Sequence, residues 1–128
     1  MRVLLDTCTF LWLALEPRRI SPAARALLDD PAVERCLSRV SVMEIVLKHR
    51  AGKLPLPGEP AEWIPPRREF FQVRDMEFGE RVIYRSGQLR DGQEDPFDRL
   101  LAAHAIECGA TLLSPDAPLG ELGAARLW

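Results

Sequence analysis

The sequence predicts a single α/β domain with a mostly parallel central sheet flanked by helices. Short apolar segments alternate with amphipathic helical segments along the chain, which is typical of strand–helix–strand units. The 128 residues are 47% hydrophobic and 28% charged, as in an ordinary globular domain. This length leaves room for one domain, which we place at residues 1–128. No internal repeat or low-complexity linker divides the chain.

The N-terminal part is predicted to contain two strands and three helices. Ser21-Pro22 marks a helix start, because Ser caps helices well and Pro is favoured at the first helical position. Ser41 is expected to begin a further helix, which Gly52 ends. In order, we predict a strand over 2–5, helices over 7–15 and 22–30, a strand over 33–37 and a helix over 41–51.

The remainder is less regular until a strong helix near residue 95. Five prolines between residues 54 and 66 leave room only for a short helix there. Asp95-Pro96 opens a helix with a long apolar stripe, and Gly109 ends it. We therefore predict a strand over 70–73, helices over 77–86 and 96–108, a polar loop over 90–94 and a final buried strand over 110–113.

Four carboxylates fall where strands end or helices begin. Asp6 follows the first strand and Asp116 the last, while Glu44 and Asp98 are each predicted in the first turn of a helix. In an open parallel sheet these positions share one edge, which is where ligands bind. Clustered acids repel one another unless a cation lies between them, and Mg²⁺ and Mn²⁺ prefer carboxylate oxygens. The four acids therefore predict a divalent-metal site able to activate water against a phosphodiester.

Each acid also has a structural explanation. Glu44 lies three residues after Ser41, the spacing of a capping box, and four before a lysine, the spacing of a helical ion pair. Asp98 could stabilise a helix start through the dipole, and Asp116 could be a turn residue. Asp6 is the hardest to explain in this way, because a charge within an apolar segment is unfavourable without a partner.

The charge balance excludes a protein that coats nucleic acid through bulk positive charge. Lys and Arg number 17 against 19 Asp and Glu, for a formal net charge of −2. Contact with nucleic acid would have to be local and metal-bridged, with help from nearby basic side chains. The candidates are Arg50, Lys53, Arg67, Arg68 and Arg99.

The sequence also predicts a cytoplasmic location without a membrane segment. The apolar run over 8–15 is too short to span a bilayer, and no small-residue cleavage site follows it. The cysteines are three in number and far apart, so they form neither a disulfide framework nor a zinc motif.

Three segments resemble the signature blocks of the PIN domain family, and within it the VapC-type ribonuclease toxins of toxin–antitoxin pairs. They are LLDTCTFLWLAL, SVMEIVLKHRAGKL and EDPFDRLLAAHAIECGATLLSPD, in the order in which the family has them. Asp6, Glu44, Asp98 and Asp116 match the first to fourth acids of the family. The resemblance implies a PIN-like fold and a pocket in which these four residues bind Mg²⁺ or Mn²⁺.

The same resemblance implies a function and partners. The protein would be a metal-dependent endoribonuclease, a hydrolase acting on RNA, and the toxin of a pair whose other member is an antitoxin. A homodimer is also implied. The apolar residues of the first helix, Phe10 to Leu13, are too many for one buried stripe, so we expect them to form part of an interface.

Two other functions remain open from the residues alone. Asp6 could be the nucleophile of a phosphotransfer or phosphatase domain, although Cys8 stands where such a domain would carry a second aspartate. The chain could also be a non-catalytic protein-binding module in which the acids are caps and surface charge.

Overall fold

Strands and helices alternate along the chain in a computed structural model that describes all of residues 1–128. The strands are β1 (Arg2–Leu5), β2 (Glu34–Leu37), β3 (Val73–Arg74), β4 (Thr111–Leu113) and β5 (Arg126–Leu127). The helices are α1 (Thr7–Leu15), α2 (Pro22–Asp29), α3 (Arg39–Arg50), α4 (Pro60–Phe70), α5 (Glu80–Gln88), α6 (Pro96–Glu107) and α7 (Ala117–Glu121). A 3₁₀ turn covers Pro17–Arg19.

The five strands form one parallel sheet in the order β3-β2-β1-β4-β5. Strand β1 lies at the centre, paired with β2 on one side and with β4 on the other. The chain first builds the sheet outward from β1 to β2 and β3, and then returns to the other side of β1. The strand order therefore reverses between β1 and β4, and ligands bind at such a reversal in open parallel sheets.

Both faces of the sheet are buried, as expected for parallel strands. In β1, Val3 and Leu5 belong to one apolar cluster and Leu4 to the other, and all three side chains are fully buried. The first cluster lies under α1, α2 and α4, and the second lies under α6 and α7. This packing holds α1 and α6 on opposite faces of the sheet.

The first helix buries more of its apolar residues than we predicted. Phe10 and Leu13 are core residues, whereas Leu11 and Trp12 are only partly buried. Trp12 contacts the Trp128 ring, with centroids 5.8 Å apart, and the Arg19 guanidinium lies 4.1 Å from the Trp12 ring centroid. The Phe10 to Leu13 segment is therefore not a continuous exposed surface, because half of it faces the core.

The proline-rich region was predicted incorrectly. Helix α4 has 11 residues and contains Pro65 and Pro66, although prolines normally interrupt a helix. Its Trp63 and Ile64 side chains are buried in the core, and this burial stabilises a helix that local propensity disfavours. The strand expected over 70–73 is reduced to Val73–Arg74, and α7 and β5 were not predicted.

None of the helices combines the length and the apolar character that crossing a bilayer requires.

Candidate metal centre

Asp6 is buried at the carboxyl end of β1. The residue is 3% exposed, and its Oδ1 accepts a hydrogen bond of 2.8 Å from the backbone N–H of Thr9, so Asp6 caps α1. Burial raises the pKa of Asp6, and hydrogen bonds from Ser114, Thr9 and Cys8 oppose that effect. The aspartate thus has a capping role and is also a charge that is unfavourable to bury.

Two hydrogen bonds fix Asp6 at the reversal of strand order. The backbone N–H of Asp6 donates to the carbonyl of Leu113 at the end of β4, at 3.1 Å. The Thr9 hydroxyl donates to the same carbonyl at 2.9 Å. The start of α1 is therefore tied to the segment that leads from β4 to Asp116.

Glu44 lies in the second turn of α3, one turn later than predicted. Helix α3 begins at Arg39 and is capped by Ser38, whose hydroxyl accepts from the Val40 N–H. Ser41 is not the cap, so the predicted capping box is wrong. The signal was ambiguous because Ser38 and Ser41 both precede a helical pattern and both are buried. Ser38 is the residue with the extended backbone that a cap requires, whereas Ser41 already lies within the helix.

Glu44 is a buried residue, and both of its carboxylate oxygens have partners. Thr7 donates to Oε1 at 2.6 Å, and the Thr7 and Ser41 hydroxyl oxygens are 3.0 Å apart. Lys48 Nζ lies 2.5 Å from Oε2, which confirms the helical ion pair. Thr7 directly follows Asp6, so one short segment positions two of the predicted ligands.

Asp95 and Asp98 have different hydrogen-bond partners at the start of α6. Asp95 is the cap, because its Oδ1 accepts from the N–H groups of Phe97, at 2.8 Å, and Asp98, at 3.3 Å. Asp98 carries no capping hydrogen bond and instead accepts from Gln93 Nε2 at 3.0 Å. Capping is thus a property of Asp95. Asp98 lies in the first turn, where the predicted dipole effect also applies, and its carboxylate is free of any capping hydrogen bond.

The pKa of Asp98 responds to the charges of the other acids. It is raised to about 6, first by burial and then by the charges of four neighbouring carboxylates, in the order Asp95, Glu44, Asp116 and Asp6. Like charges disfavour ionisation of one another at short range. The other three predicted site residues and Asp95 therefore lie within electrostatic reach of Asp98.

Asp116 is exposed and follows β4, at the position before α7. Its carboxylate makes no capping hydrogen bond, although its backbone N–H donates to the Ser114 hydroxyl at 3.0 Å. A turn or cap role for the Asp116 side chain therefore has no support, and its proximity to Asp98 is the feature that distinguishes it.

Arg99 has a structural role that its place in the sequence does not indicate. Its guanidinium donates to four backbone carbonyls, all within 3.1 Å, and so holds the segment that carries Gln93. The acceptors are the carbonyls of Ser86, Leu89, Arg90 and Gln93. We predicted Arg99 as an RNA contact, and its donors are instead committed to this loop. Nothing in the polar composition of residues 90–94 indicated that the loop was held in this way.

His104 links the two helices that carry Glu44 and Asp98. Its ring nitrogens lie 2.9 Å from the Ser38 hydroxyl and 2.9 Å from the Glu77 carbonyl oxygen. The side chain is fully buried, and burial lowers its pKa. His104 is therefore a satisfied core residue that joins α6 to the start of α3.

The chemistry of the cluster suits a hard divalent cation. As the side chains lie, no three His, Cys, Asp or Glu residues form a group that could hold a metal ion. The donors are nevertheless all carboxylates, which Mg²⁺ and Mn²⁺ prefer, and Lys48 is the cation paired with one of them, at Glu44. Residues and ion thus fit in donor type and in charge.

The fold and the acidic cluster together define an α/β domain with a carboxylate site at the carboxyl edge of its sheet. The sequence profile described as the PIN domain matches residues 3–124. The chain belongs to the PIN domain family, whose members are typically nucleases. Comparison with curated proteins finds no matching sequence.

Solved structures of toxin–antitoxin complexes have the same fold. VapBC2 from Rickettsia felis, bound to a DNA fragment from its promoter, is 16% identical with a TM-score of 0.69, covering 99% of this chain and 98% of that chain. VapBC-1 from nontypeable Haemophilus influenzae is 17% identical with a TM-score of 0.66, covering 99% and 97%. A toxin–antitoxin complex from Klebsiella pneumoniae is 15% identical with a TM-score of 0.65, covering 98% and 96%.

Proposed function

We propose that this protein is a metal-dependent endoribonuclease that hydrolyses RNA phosphodiester bonds. The observation that carries the proposal is the buried Asp6 at the carboxyl end of β1, where the strand order reverses, with the buried Glu44 held by the adjacent Thr7. Membership of a family of nucleases supports the reaction class. RNA as the substrate, and Mg²⁺ or Mn²⁺ as the cofactor, are parts of the proposal.

The four acids would have distinct roles. Asp6 and Asp98 would bind the metal directly, and Glu44 and Asp116 would complete the pocket or orient water. A bound Mg²⁺ or Mn²⁺ supplies an activated water and offsets the charge that builds on the phosphate oxygens.

Polar side chains next to Glu44 and Asp98 would fix these carboxylates in position for metal binding. Thr7 orients Glu44 through a hydrogen bond to one of its oxygens, and Gln93 does the same for Asp98. Burial of Asp6 and Glu44 lowers the local dielectric and strengthens every charge interaction at the site.

The decisive variant is Asp6→Asn, because asparagine also caps helices well and still offers an oxygen to the Thr9 N–H. We expect a folded protein whose Mn²⁺- or Mg²⁺-dependent cleavage of single-stranded RNA falls by about 100-fold, near the upper end for loss of a metal-site partner. The matched control is Asp30→Asn. Asp30 also accepts from a backbone N–H, that of Ala32 at 2.9 Å, but it follows α2 on the surface.

Several outcomes would contradict the proposal. Parental cleavage by Asp6→Asn would exclude metal catalysis through Asp6. Hydrolysis of a phosphate monoester without cleavage of RNA would favour the aspartate-nucleophile alternative. Absence of any divalent-ion binding in calorimetry would favour a non-catalytic binding module.

We further propose that the protein is the toxin of a toxin–antitoxin pair, acting in the cytoplasm with an antitoxin as its partner and forming a homodimer. The similarity in fold to VapBC complexes supports this biological role. Expression of the chain alone in a bacterial host should arrest growth, and the Asp6→Asn variant at equal protein level should not. Co-expression of a small DNA-binding protein encoded next to it should relieve the arrest.

A further inference from the structure

An ammonium group lies against the acidic cluster. Lys48 Nζ is 2.5 Å from Glu44 Oε2, while the other Glu44 oxygen is held by Thr7. The charges of Asp95 and Asp98 also act on Lys48, so its electrostatic contacts reach across the cluster from α3 to α6.

The environment of this ion pair differs from that of an ordinary helical pair. In the Arg25–Asp29 pair of α2, at the same spacing, the side chains are 42% and 59% exposed. In the Lys48–Glu44 pair the lysine is 47% exposed, but the glutamate is only 10% exposed. Glu44 is therefore a buried acid whose exposed side is covered by a long, flexible cation.

Because Thr7 already donates to Oε1, the Glu44 oxygen left for a divalent cation is Oε2, which pairs with Lys48. An ammonium and a divalent ion repel each other strongly at contact distance, so they cannot share this oxygen without cost. The four-carbon stem of lysine lets its ammonium move by several bonds, and its three donors suit phosphate oxygens.

We propose that Lys48 is a built-in counter-ion that competes with the divalent cation for Glu44, and that it binds a non-bridging phosphate oxygen of the RNA once Glu44 turns to the cation. This inference rests on the proposed ribonuclease function. Before a cation binds, Lys48 occupies the Glu44 oxygen and so opposes metal binding. In the metal-bound enzyme, Lys48 binds the substrate.

The two roles predict effects of opposite sign when the charge is removed. In Lys48→Met, which keeps the apolar stem, Mn²⁺ affinity measured by calorimetry at low ionic strength should rise by about fivefold, because a repelling charge is gone. The kcat for RNA cleavage at saturating Mn²⁺ should fall by about tenfold or more, because a donor to the developing phosphate charge is lost. Lys48→Arg should restore most of kcat and return Mn²⁺ affinity toward the parental value.

The control is Arg25→Ala, which removes one positive charge and one helical pair of the same spacing far from the cluster. It should leave Mn²⁺ affinity and kcat unchanged. Circular dichroism verifies folding, and Lys48→Gln serves as the second neutral variant if Lys48→Met is unfolded.

The opposite signs separate this inference from its alternatives. If Lys48→Met lowers Mn²⁺ affinity together with kcat, the lysine only positions Glu44, and the inference is overturned. If neither quantity changes, the pair is a surface contact, and the inference is equally overturned. A parental protein that binds Mn²⁺ without cleaving RNA would instead overturn the proposed function, and would do so before any Lys48 variant is compared.

Discussion

At the scale of single residues, the structure separates capping from site chemistry in the carboxylates. Asp95 caps α6, and Ser38 rather than an acid caps α3. No capping hydrogen bond is accepted by the carboxylates of Asp98, Asp116 and Glu44. Asp6 is both the cap of α1 and almost completely buried. The charges that raise the pKa of Asp98 include those of acids with a structural contact, because Asp6 and Asp95 are caps and Glu44 accepts from Thr7. Asp116 is the one among them whose carboxylate has no capping hydrogen bond or other side-chain partner.

Glu44→Gln tests this separation. Glutamine still accepts the hydrogen bond from Thr7 and loses only the charge and the pairing with Lys48, so the free energy of unfolding should change by about 1 kcal/mol or less. A neutral amide is a weaker metal ligand, and RNA cleavage should fall by about tenfold or more. Thermal melting and a cleavage assay on one preparation give both values.

Ser38→Ala should show the reverse pattern. The α3 cap and the partner of His104 are lost together, which should lower the free energy of unfolding by about 1–3 kcal/mol while cleavage by the folded protein is largely kept. Parental cleavage by Glu44→Gln would mean that the site rests on the aspartates alone.

At the scale of elements, the loop between α5 and α6 is held by one arginine rather than by regular structure. Arg99 closes this loop through four carbonyl contacts, and the loop in turn presents Gln93 to Asp98. Helix α6 thus brings both an acid and the residue that fixes the surroundings of that acid. The planar guanidinium is suited to several acceptors at fixed angles, whereas an ammonium acts as a point charge.

Arg99→Lys should therefore disturb the loop although it conserves the charge. We expect the free energy of unfolding to fall by about 1–3 kcal/mol, because carbonyls in mostly part-buried contacts lose a charged donor. Hydrogen exchange should increase in residues 89–94. The control is Arg81→Lys, because Arg81 is 88% exposed and makes only a 3.7 Å contact with Glu107. Equal behaviour of the two variants would show that the loop does not depend on Arg99.

At the scale of the whole molecule, the sheet order brings together acids that are up to 110 positions apart in sequence. Strand β1 ends at Asp6 and β4 leads to Asp116, and the two strands are neighbours only because the chain returns across β1. The packed core thus holds like charges together, and their repulsion opposes folding in the metal-free protein. A divalent cation that binds the folded state should offset this repulsion and stabilise the fold by mass action.

Adding a divalent cation and removing the charge of Asp98 should therefore both stabilise the folded protein. The raised pKa of Asp98, about 6, means that its ionised form is disfavoured in the folded protein, so metal-free stability at neutral pH is lower than at a pH near 4 as far as this group contributes. Asp98→Asn should stabilise the metal-free protein at pH 7 by about 1 kcal/mol, a value reduced for solvent screening of this half-buried group.

Asp98→Asn should, however, reduce the stability that the protein gains from Mn²⁺. At 100 times its Kd, Mn²⁺ should add about 2.7 kcal/mol to the stability of the parent, and Asp98→Asn should lose most of this gain. Differential scanning calorimetry in chelator and in Mn²⁺ measures both effects. A metal-free Asp98→Asn protein that is less stable than the parent, with its metal response intact, would assign Asp98 to the helix start alone.

The hydrophobic and capping patterns of the sequence predicted those helices and strands in which local propensity and packing in the core favour the same structure. Strand β1 and helix α1 have the predicted bounds, and α6 ends before Gly109, which adopts the left-handed φ of 63° that favours glycine. Helix α4 departs from prediction because burial of Trp63 and Ile64 outweighs two internal prolines. Strands of two residues, such as β3 and β5, are too short to carry a period and form only against a neighbouring strand.

The sequence by itself determined the fold class, the family resemblance and the identity of the four candidate acids, because each depends on residue types and on their order. Only the tertiary structure decided which polar groups pair with one another. It made Ser38 the cap, directed Arg99 to the loop carbonyls, and set Lys48 against a buried Glu44. The physical reason is that hydrogen bonds and charge interactions depend on distances of a few ångströms between residues distant in sequence, and packing of the core sets those distances.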